Sequence, residues 1–142
     1  MYIYVRPFKA EDIKKFKPIE PIVTDEVMPI ADLIEKSGLA VTGLINGEVV
    51  CCGGVHPVNK EQGEAWLRIS RKCRKYKFAT LRWIFAGLKI VEETYPFNQL
   101  NATVRLDCPK MVKLIETLGF KLVQYAEEKK VKYGIYVKRV KE

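Results

Sequence analysis

The stretch EAWLRISRKCRKYKFATLRWIF, residues 64–85, changes character twice and decides the fold. Its first seven residues, 64–70, have the β-rich composition of a strand. Five cations then fall within the seven positions of 71–77, and apolar residues follow at spacings of three and four. This pattern predicts a strand that leads directly into a helix running from about Arg71 to Thr94, with Ser70 as its N-cap.

The predicted helix should bury one stripe against a sheet. Its apolar positions recur with helical spacing, and they are Phe78, Leu81, Ile84, Phe85, Leu88, Val91 and Tyr95. Such spacing places the side chains on one face of a helix.

Upstream of this unit, LAVTGLINGEVVCCGGV (39–55) predicts a β-hairpin around Asn46-Gly47, a pair that tolerates the positive φ angles of a type I′ turn. Residues 2–6 predict another strand, and 9–16 predict one or two helical turns.

The segment 24–38 predicts a helix with Thr24 as a possible N-cap and Gly38 as a stop signal, and Pro29 as a possible break within it.

Downstream, residues 99–105 predict a strand, and CPKMVKLIETLGF (108–120) predicts a helix with Pro109 near its start and Gly119 as its left-handed stop. Two final strands, KLVQYA (121–126) and VKYGIYV (131–137), are expected about a turn at Glu127–Lys130. The order of elements is an α+β pattern in which one long helix joins what would be parallel strands.

The composition indicates one globular domain covering residues 1–142, with 48% apolar and 30% charged residues. Its formal net charge of +8 favours anionic partners such as phosphates, cofactors or nucleic acid. No apolar run approaches the roughly 20 residues that span a bilayer, so we expect a soluble, cytoplasmic protein without membrane contact. The four cysteines and the single His56 show no zinc-ligand spacing, so we expect free thiols and no metal.

The chain resembles the GNAT superfamily of acetyl-CoA-dependent N-acetyltransferases over nearly its whole length. The resemblance is carried by the 39–55 hairpin, the strand-to-helix unit 64–85, the strand LNATVR (100–105) and above all MVKLIETLGF (111–120). It implies a GNAT-like α+β fold, a mixed and mostly antiparallel central sheet flanked by helices. In that fold the sheet splays between its fourth and fifth strands and admits the pantetheine arm of the cofactor.

The sequence departs from the family at three places. Where the family keeps a glycine-rich pyrophosphate loop, whose backbone N–H groups approach the phosphates, this chain has Tyr76 and Phe78. The frequent asparagine of the following helix falls on Cys108, and the common tyrosine that protonates the departing thiolate falls on Ile115. Either Tyr125 or Tyr133 is then a candidate acid, provided that its hydroxyl reaches the thiolate.

The cations of the basic run are the candidate ligands for the phosphates of acetyl-CoA, through charge-assisted side-chain hydrogen bonds. They are Arg71, Lys72, Arg74, Lys75 and Lys77. A solvated helix face is the ordinary explanation of such a run. However, cations oppose the macrodipole at a helix N-terminus, which favours an anionic partner here. By resemblance, the cofactor site also includes Leu67, Ile69 and Cys108, with a backbone N–H of the 67–70 strand stabilising the oxyanion.

Glu64 is the candidate general base, since the family often keeps a glutamate on this strand that deprotonates the amine, directly or through water. The plainer interpretation is an exposed acid at the end of a hairpin beside Gly63. His56 is a less favoured alternative base. Cys108 at a helix N-terminus could attack a thioester, but a small helix-cap residue is the simpler interpretation.

The favoured function is therefore transfer of an acetyl group from acetyl-CoA to an amine acceptor, with specificity residing in loops such as 17–38. One alternative is a catalytically inactive GNAT-like domain. WLRISRKCRK (66–75) is similar to a stretch of an internal virion protein family of short-tailed phages, in which a basic surface would bind virion proteins or packaged DNA. Another is nucleic-acid binding by the basic run with Tyr76 and Phe78 as stacking residues.

Overall fold

A seven-stranded sheet forms the centre of the structure, a computed structural model that describes residues 3–15 and 31–140. The strands are β1 (Tyr4–Pro7), β2 (Ala40–Ile45), β3 (Glu48–Pro57), β4 (Gln62–Ile69), β5 (Gln99–Arg105), β6 (Lys121–Glu128) and β7 (Val131–Arg139). Their spatial order is β1-β2-β3-β4-β5-β7-β6. Among the strands of residues 3–15 and 31–140, only β4 and β5 pair in parallel, so the predicted α+β class with a mixed, mostly antiparallel sheet is confirmed.

Helices cover both faces of the sheet. They are the 3₁₀-helices η1 (Ala10–Lys15) and η2 (Arg71–Tyr76) and the α-helices α1 (Ala31–Ser37), α2 (Lys77–Thr94) and α3 (Pro109–Thr117). Of the helix predicted over 24–38, the structure shows α1 ending before Gly38, whose φ of 73° is the predicted left-handed stop. The proposed cap Thr24 and the Pro29 break lie outside the described residues.

Each face of the sheet has its own apolar core because side chains alternate along every strand. On one face, α2 and α3 pack against β4 and β5 through Ile69, Ile84, Leu100, Ala102, Val104 and Leu118. On the other face, η1 and α1 pack through Phe8, Ile13, Ala31, Ile34, Ala40 and Cys52. The sheet is thus the middle of three layers.

Two hairpin turns have positive φ at both central residues. Asn46 and Gly47, with φ of 51° and 79°, form the predicted β2–β3 turn. Lys129 and Lys130, with φ of 51° and 66°, form the β6–β7 turn. This turn lies within the predicted Glu127–Lys130 but is shorter, since strand pairing continues to Glu128 and Val131 and leaves a two-residue loop.

The basic run forms a 3₁₀-helix rather than the first turns of the long α-helix, which corrects the predicted start of that helix. Ser70 is the predicted N-cap, and its Oγ accepts a hydrogen bond from the Lys72 backbone N–H at 3.1 Å. The Cys73 backbone N–H donates to Ser70 O at 3.0 Å, three residues back. The Cys73 thiol donates to Val50 O at 3.2 Å, which ties the segment to β3.

The buried stripe of α2 is narrower than the sequence pattern predicts. Thr80 and Ile84 are buried, and Leu81, Leu88, Val91 and Tyr95 are half-buried. Phe78 and Phe85, predicted for the same stripe, are instead 76% and 44% exposed. Phe85 directly follows Ile84, and one residue turns a helix by about 100°, which carries both phenylalanines away from the sheet.

Within the described ranges, no helix is both long and apolar enough to cross a membrane.

Candidate functional site

The central sheet opens between β4 and β5. Their parallel pairing joins only Gln62–Glu64 to Gln99–Asn101. From Ala65 to Ile69, β4 has a partner on its β3 side but none on its β5 side. A wedge-shaped gap results, narrow at Glu64 and widening toward Ser70. It is the splay between the fourth and fifth strands that the GNAT resemblance implies.

The free edge of β4 points hydrogen-bonding groups into this gap. The Ser70 backbone N–H donates to Val50 O at 2.8 Å, so every second residue of β4 bonds to β3. Successive residues of an antiparallel strand alternate in direction, so the N–H groups of Leu67 and Ile69 face the gap. These are the two strand residues assigned to the cofactor by resemblance. An extended ligand lying along β4 would meet two backbone donors.

A cavity of about 520 Å³ occupies the gap and the space between α2 and α3. Its walls between the helices are mainly apolar, with Trp83, Ile84 and Leu88 from α2 and Met111, Leu114 and Ile115 from α3. Gly87 also lines the cavity, and a Cβ there would meet no atom within 4 Å. Several of these apolar side chains are only half-buried, as expected of a preformed ligand slot.

Polar side chains gather at the narrow end of the gap. Glu64 and His56 lie directly opposite each other on β4 and β3. The Thr103 hydroxyl of β5 donates to Glu64 Oε1 at 3.3 Å. All three line the cavity. The structure therefore brings both candidate bases together. It also adds Thr103, which the sequence analysis missed because Thr103 becomes a neighbour of Glu64 only through the pairing of β4 with β5.

Positive charge gathers at the wide end. The carboxyl ends of parallel strands lie at one edge of a sheet, so the segment after β4 and the start of α3 after β5 share that edge. The side chains of Arg71 and Arg74 are exposed and have no ion-pair or hydrogen-bond partner in the described structure. Lys72 Nζ instead lies 2.8 Å from Glu48 Oε2. Arg71 and Arg74 are thus the cations best placed to bind an anion.

Two bulky side chains occupy the positions that are glycines in the family's pyrophosphate loop. Tyr76 is half-buried and has a φ of −125°, and Phe78 begins the exposed face of α2. Side chains thus stand where the family presents glycine backbone to a phosphate. Cys108, at the N-cap position of α3, is 8% exposed, makes no side-chain cap hydrogen bond and does not line the cavity.

The two tyrosines considered as acids lie away from the cavity, and a third tyrosine lines it. Tyr125 is 69% exposed on the edge strand β6, separated from β4 by β7 and β5, and does not line the cavity. Tyr133 on β7 does not line it either. Tyr95, at the end of α2, is the tyrosine of the described chain that does. The sequence analysis assigned Tyr95 to the apolar stripe of the helix only. Its position at the cavity depends on how α2 packs on the sheet, which residue spacing does not reveal.

The cysteines are free, as predicted, and all four are buried. A hydrogen bond between the thiols of Cys51 and Cys73, together with burial, raises the pKa of Cys51 well above its usual range. Burial raises the pKa of Cys52 to about 12. Among residues 3–15 and 31–140, no group of His, Cys, Asp and Glu side chains is arranged to hold a metal ion.

Solved structures of acetyltransferases share this fold. Ard1 from Thermoplasma volcanium superposes with a TM-score of 0.77 over 100% of both chains at 13% identity. A SpeG spermidine N-acetyltransferase chimera from Vibrio cholerae and hSSAT gives 0.72 over 99% of this chain and 96% of its own, at 12% identity. A GNAT-superfamily phosphinothricin acetyltransferase from Sinorhizobium meliloti, in complex with AcCoA, gives 0.70 over 99% and 90%, at 15% identity.

These likenesses show that the chain has the GNAT fold. No protein-family model matches the chain, and no curated protein matches it significantly by sequence. The three structures described above are acetyltransferases, so they do not bear on the resemblance to a phage virion protein, which stays a prediction.

Proposed function

We propose that this protein is an N-acyltransferase that moves an acetyl group from acetyl-CoA to an amine. The observation that carries the proposal is the gap between β4 and β5, which presents the N–H groups of Leu67 and Ile69 and ends at Glu64. Where the sheet opens in its middle, backbone N–H and C=O groups lack a strand partner. A ligand that forms hydrogen bonds with these groups stabilises the open arrangement.

The residues present fit acetyl-CoA along most of its length. The apolar walls from α2 and α3 suit the pantetheine arm, and the N–H groups of β4 supply donors along one side. At the wide end, Arg71 and Arg74 supply charge-assisted hydrogen bonds to phosphate in place of the missing glycine backbone. When bound, acetyl-CoA supplies a thioester that an amine can attack.

The narrow end supplies acid–base chemistry. Glu64 accepts the proton that the amine nitrogen loses as it bonds to the thioester carbonyl carbon, directly or through one water. The Thr103 hydroxyl holds one oxygen of that carboxylate at 3.3 Å. A β4 backbone N–H donates to the carbonyl oxygen as negative charge develops there. We assign the return of a proton to the departing sulfur to Tyr95, because it lines the cavity.

The acceptor is a primary amine that reaches Glu64 from the face of the sheet covered by α1. His56, Glu64 and Trp66 line the cavity there, and the side chains of the even-numbered residues of β4 point to that face. Two structural neighbours are named for spermidine and phosphinothricin. A suitable acceptor panel therefore contains a polyamine, phosphinothricin and peptides with a free N-terminus.

Calorimetric titration with acetyl-CoA tests the proposal. We expect saturable binding that weakens about tenfold or more in the Arg71→Ala/Arg74→Ala variant, because each lost charge-assisted hydrogen bond costs a sizeable fraction of the binding energy. The Lys36→Ala/Lys60→Ala variant removes the same charge from exposed sites elsewhere and is the matched control. Desulfo-CoA should bind comparably.

If the Arg71→Ala/Arg74→Ala variant bound acetyl-CoA with the affinity of wild type, these two arginines would not be ligands of its phosphates. A wild-type protein that releases no heat at high ligand concentration would favour a second candidate, a GNAT-fold domain without transferase activity. The bulky Tyr76 and Phe78 and the apolar Ile115 support that candidate, since each replaces a group with a known chemical role in the family resemblance.

A further inference from the structure

The outward face of α2 carries an alternating row of aromatic and cationic side chains. Phe78, Arg82, Phe85 and Lys89 follow one another at spacings of four, three and four residues, which places them on one stripe. Phe78 and Phe85 are 76% and 44% exposed, and both cations are exposed. None of the four lines the cavity between β4 and β5. We call this row the α2 outer face.

The charge around the α2 outer face is mainly positive. Residues 71–91 contain seven cations and no acidic residue. Lys72 pairs with Glu48, the first residue of β3. Two acids follow at the C-terminal end of the helix: Glu92, three residues after Lys89, pairs with Lys138 at 2.9 Å, and Glu93 is exposed. Arg82 and Lys89 have no ion pair in the described ranges, so their charges are available to an anion.

Two exposed phenylalanines within so basic a surface point to a ligand that has both flat apolar groups and negative charge. A helix gains nothing from a Phe ring in water, and exposed apolar groups rimmed by charge mark interaction sites. Seven residues of helix separate the two rings by about 10 Å along the axis, so each can meet a different group of one ligand. Single-stranded nucleic acid has this combination, since its bases are unpaired and its phosphates repeat.

We propose that the α2 outer face binds single-stranded nucleic acid. Phe78 and Phe85 stack on bases, and Arg82 and Lys89, extended by the cations of 71–77, contact phosphates. This activity does not rest on the proposed acyl transfer, because the four residues of the row lie outside the cavity.

Fluorescence anisotropy with a labelled oligothymidylate tests this proposal on the full chain. We expect the Phe78→Ala/Phe85→Ala variant to bind about tenfold more weakly or worse, with an unchanged dependence of log affinity on log salt, because stacking is lost and phosphate contacts remain. The Arg82→Ala/Lys89→Ala variant should show a shallower salt dependence, by about 0.7 for each lost contact. Phe78→Trp/Phe85→Trp should restore or strengthen binding.

The Leu33→Ala/Val58→Ala variant is the matched control, since it removes exposed apolar side chains elsewhere and should leave affinity unchanged. The proposal is overturned if Phe78→Ala/Phe85→Ala binds as tightly as wild type, or if wild type shows no binding at low salt. Equal affinity for a duplex would overturn stacking on bases. Equal affinity for polyglutamate would overturn the proposal of nucleic-acid binding and would indicate an acidic protein partner.

Discussion

The Glu64→Gln variant is expected to acetylate its amine acceptor about 10²- to 10³-fold more slowly in kcat, with a Kd for acetyl-CoA within about twofold of wild type. Gln has the shape of Glu and keeps an oxygen that can accept from Thr103, but it cannot take a proton from the amine. Thiol release with the amine accepted from the panel measures kcat, and calorimetry measures Kd.

Two further variants test whether the loss of kcat is specific to Glu64. Glu61→Gln removes the same charge from an exposed position three residues away and should leave kcat unchanged. His56→Gln should change kcat by less than about threefold if Glu64 is the base. A Glu64→Gln enzyme with undiminished kcat, together with a slow His56→Gln enzyme, would transfer the role of base to His56, which lies directly opposite on β3.

The Asp12→Ala variant is expected to lose about 3 kcal/mol or more of unfolding free energy, the largest stability effect that the structure predicts. Asp12 is fully buried, and its carboxylate accepts two hydrogen bonds from Arg6 at 2.8 Å, one from Thr42 Oγ1 at 2.7 Å and one from the Lys9 backbone N–H at 3.0 Å. These bonds join β1, η1 and β2, and the variant would remove the acceptor that their donors share. Urea unfolding followed by circular dichroism measures the loss.

The pH dependence of that loss has a defined sign. Burial alone would raise the pKa of Asp12, but the hydrogen bonds from Arg6, Thr42 and Lys9 outweigh burial and lower the pKa to about 2. A depressed pKa contributes stability that is complete above the unfolded value of 3.8 and declines as the pH falls toward 2. The difference between wild type and Asp12→Ala should therefore shrink below about pH 4. The exposed neighbour Glu11→Gln should cost less than about 0.5 kcal/mol, and a similar cost for both would contradict this account.

Local signals in the sequence predicted most of the fold. Asn46-Gly47 specified its own turn, Ser70 capped the segment after β4, and Gly38 and Gly119 ended their helices at positive φ. Each of these depends on a few adjacent residues. The β6–β7 turn was predicted longer than it is because Lys129 and Lys130 have no intrinsic preference for positive φ, and the flanking strand pairing imposes it.

The site was harder to predict because it depends on contacts between distant strands. Glu64 could be proposed from its strand, but its neighbour Thr103 lies 39 residues away in sequence. Tyr125 was a reasonable candidate acid by residue type, yet the strand order puts β6 at the edge of the sheet. The exposure of Phe78 and Phe85 was missed because spacing alone does not tell how wide a stripe a sheet covers.

The claim at the centre of this account is that the arm of acetyl-CoA enters the gap in the sheet and pairs with β4. Amide chemical shifts of uniformly ¹⁵N-labelled protein, titrated with acetyl-CoA and separately with adenosine diphosphate, test that claim most directly. The amides of Leu67 and Ile69 should shift with acetyl-CoA alone, while those of Arg71–Lys77 should shift with both ligands. Unmoved amides at Leu67 and Ile69 under saturating acetyl-CoA would contradict the account, whatever happens at the basic segment.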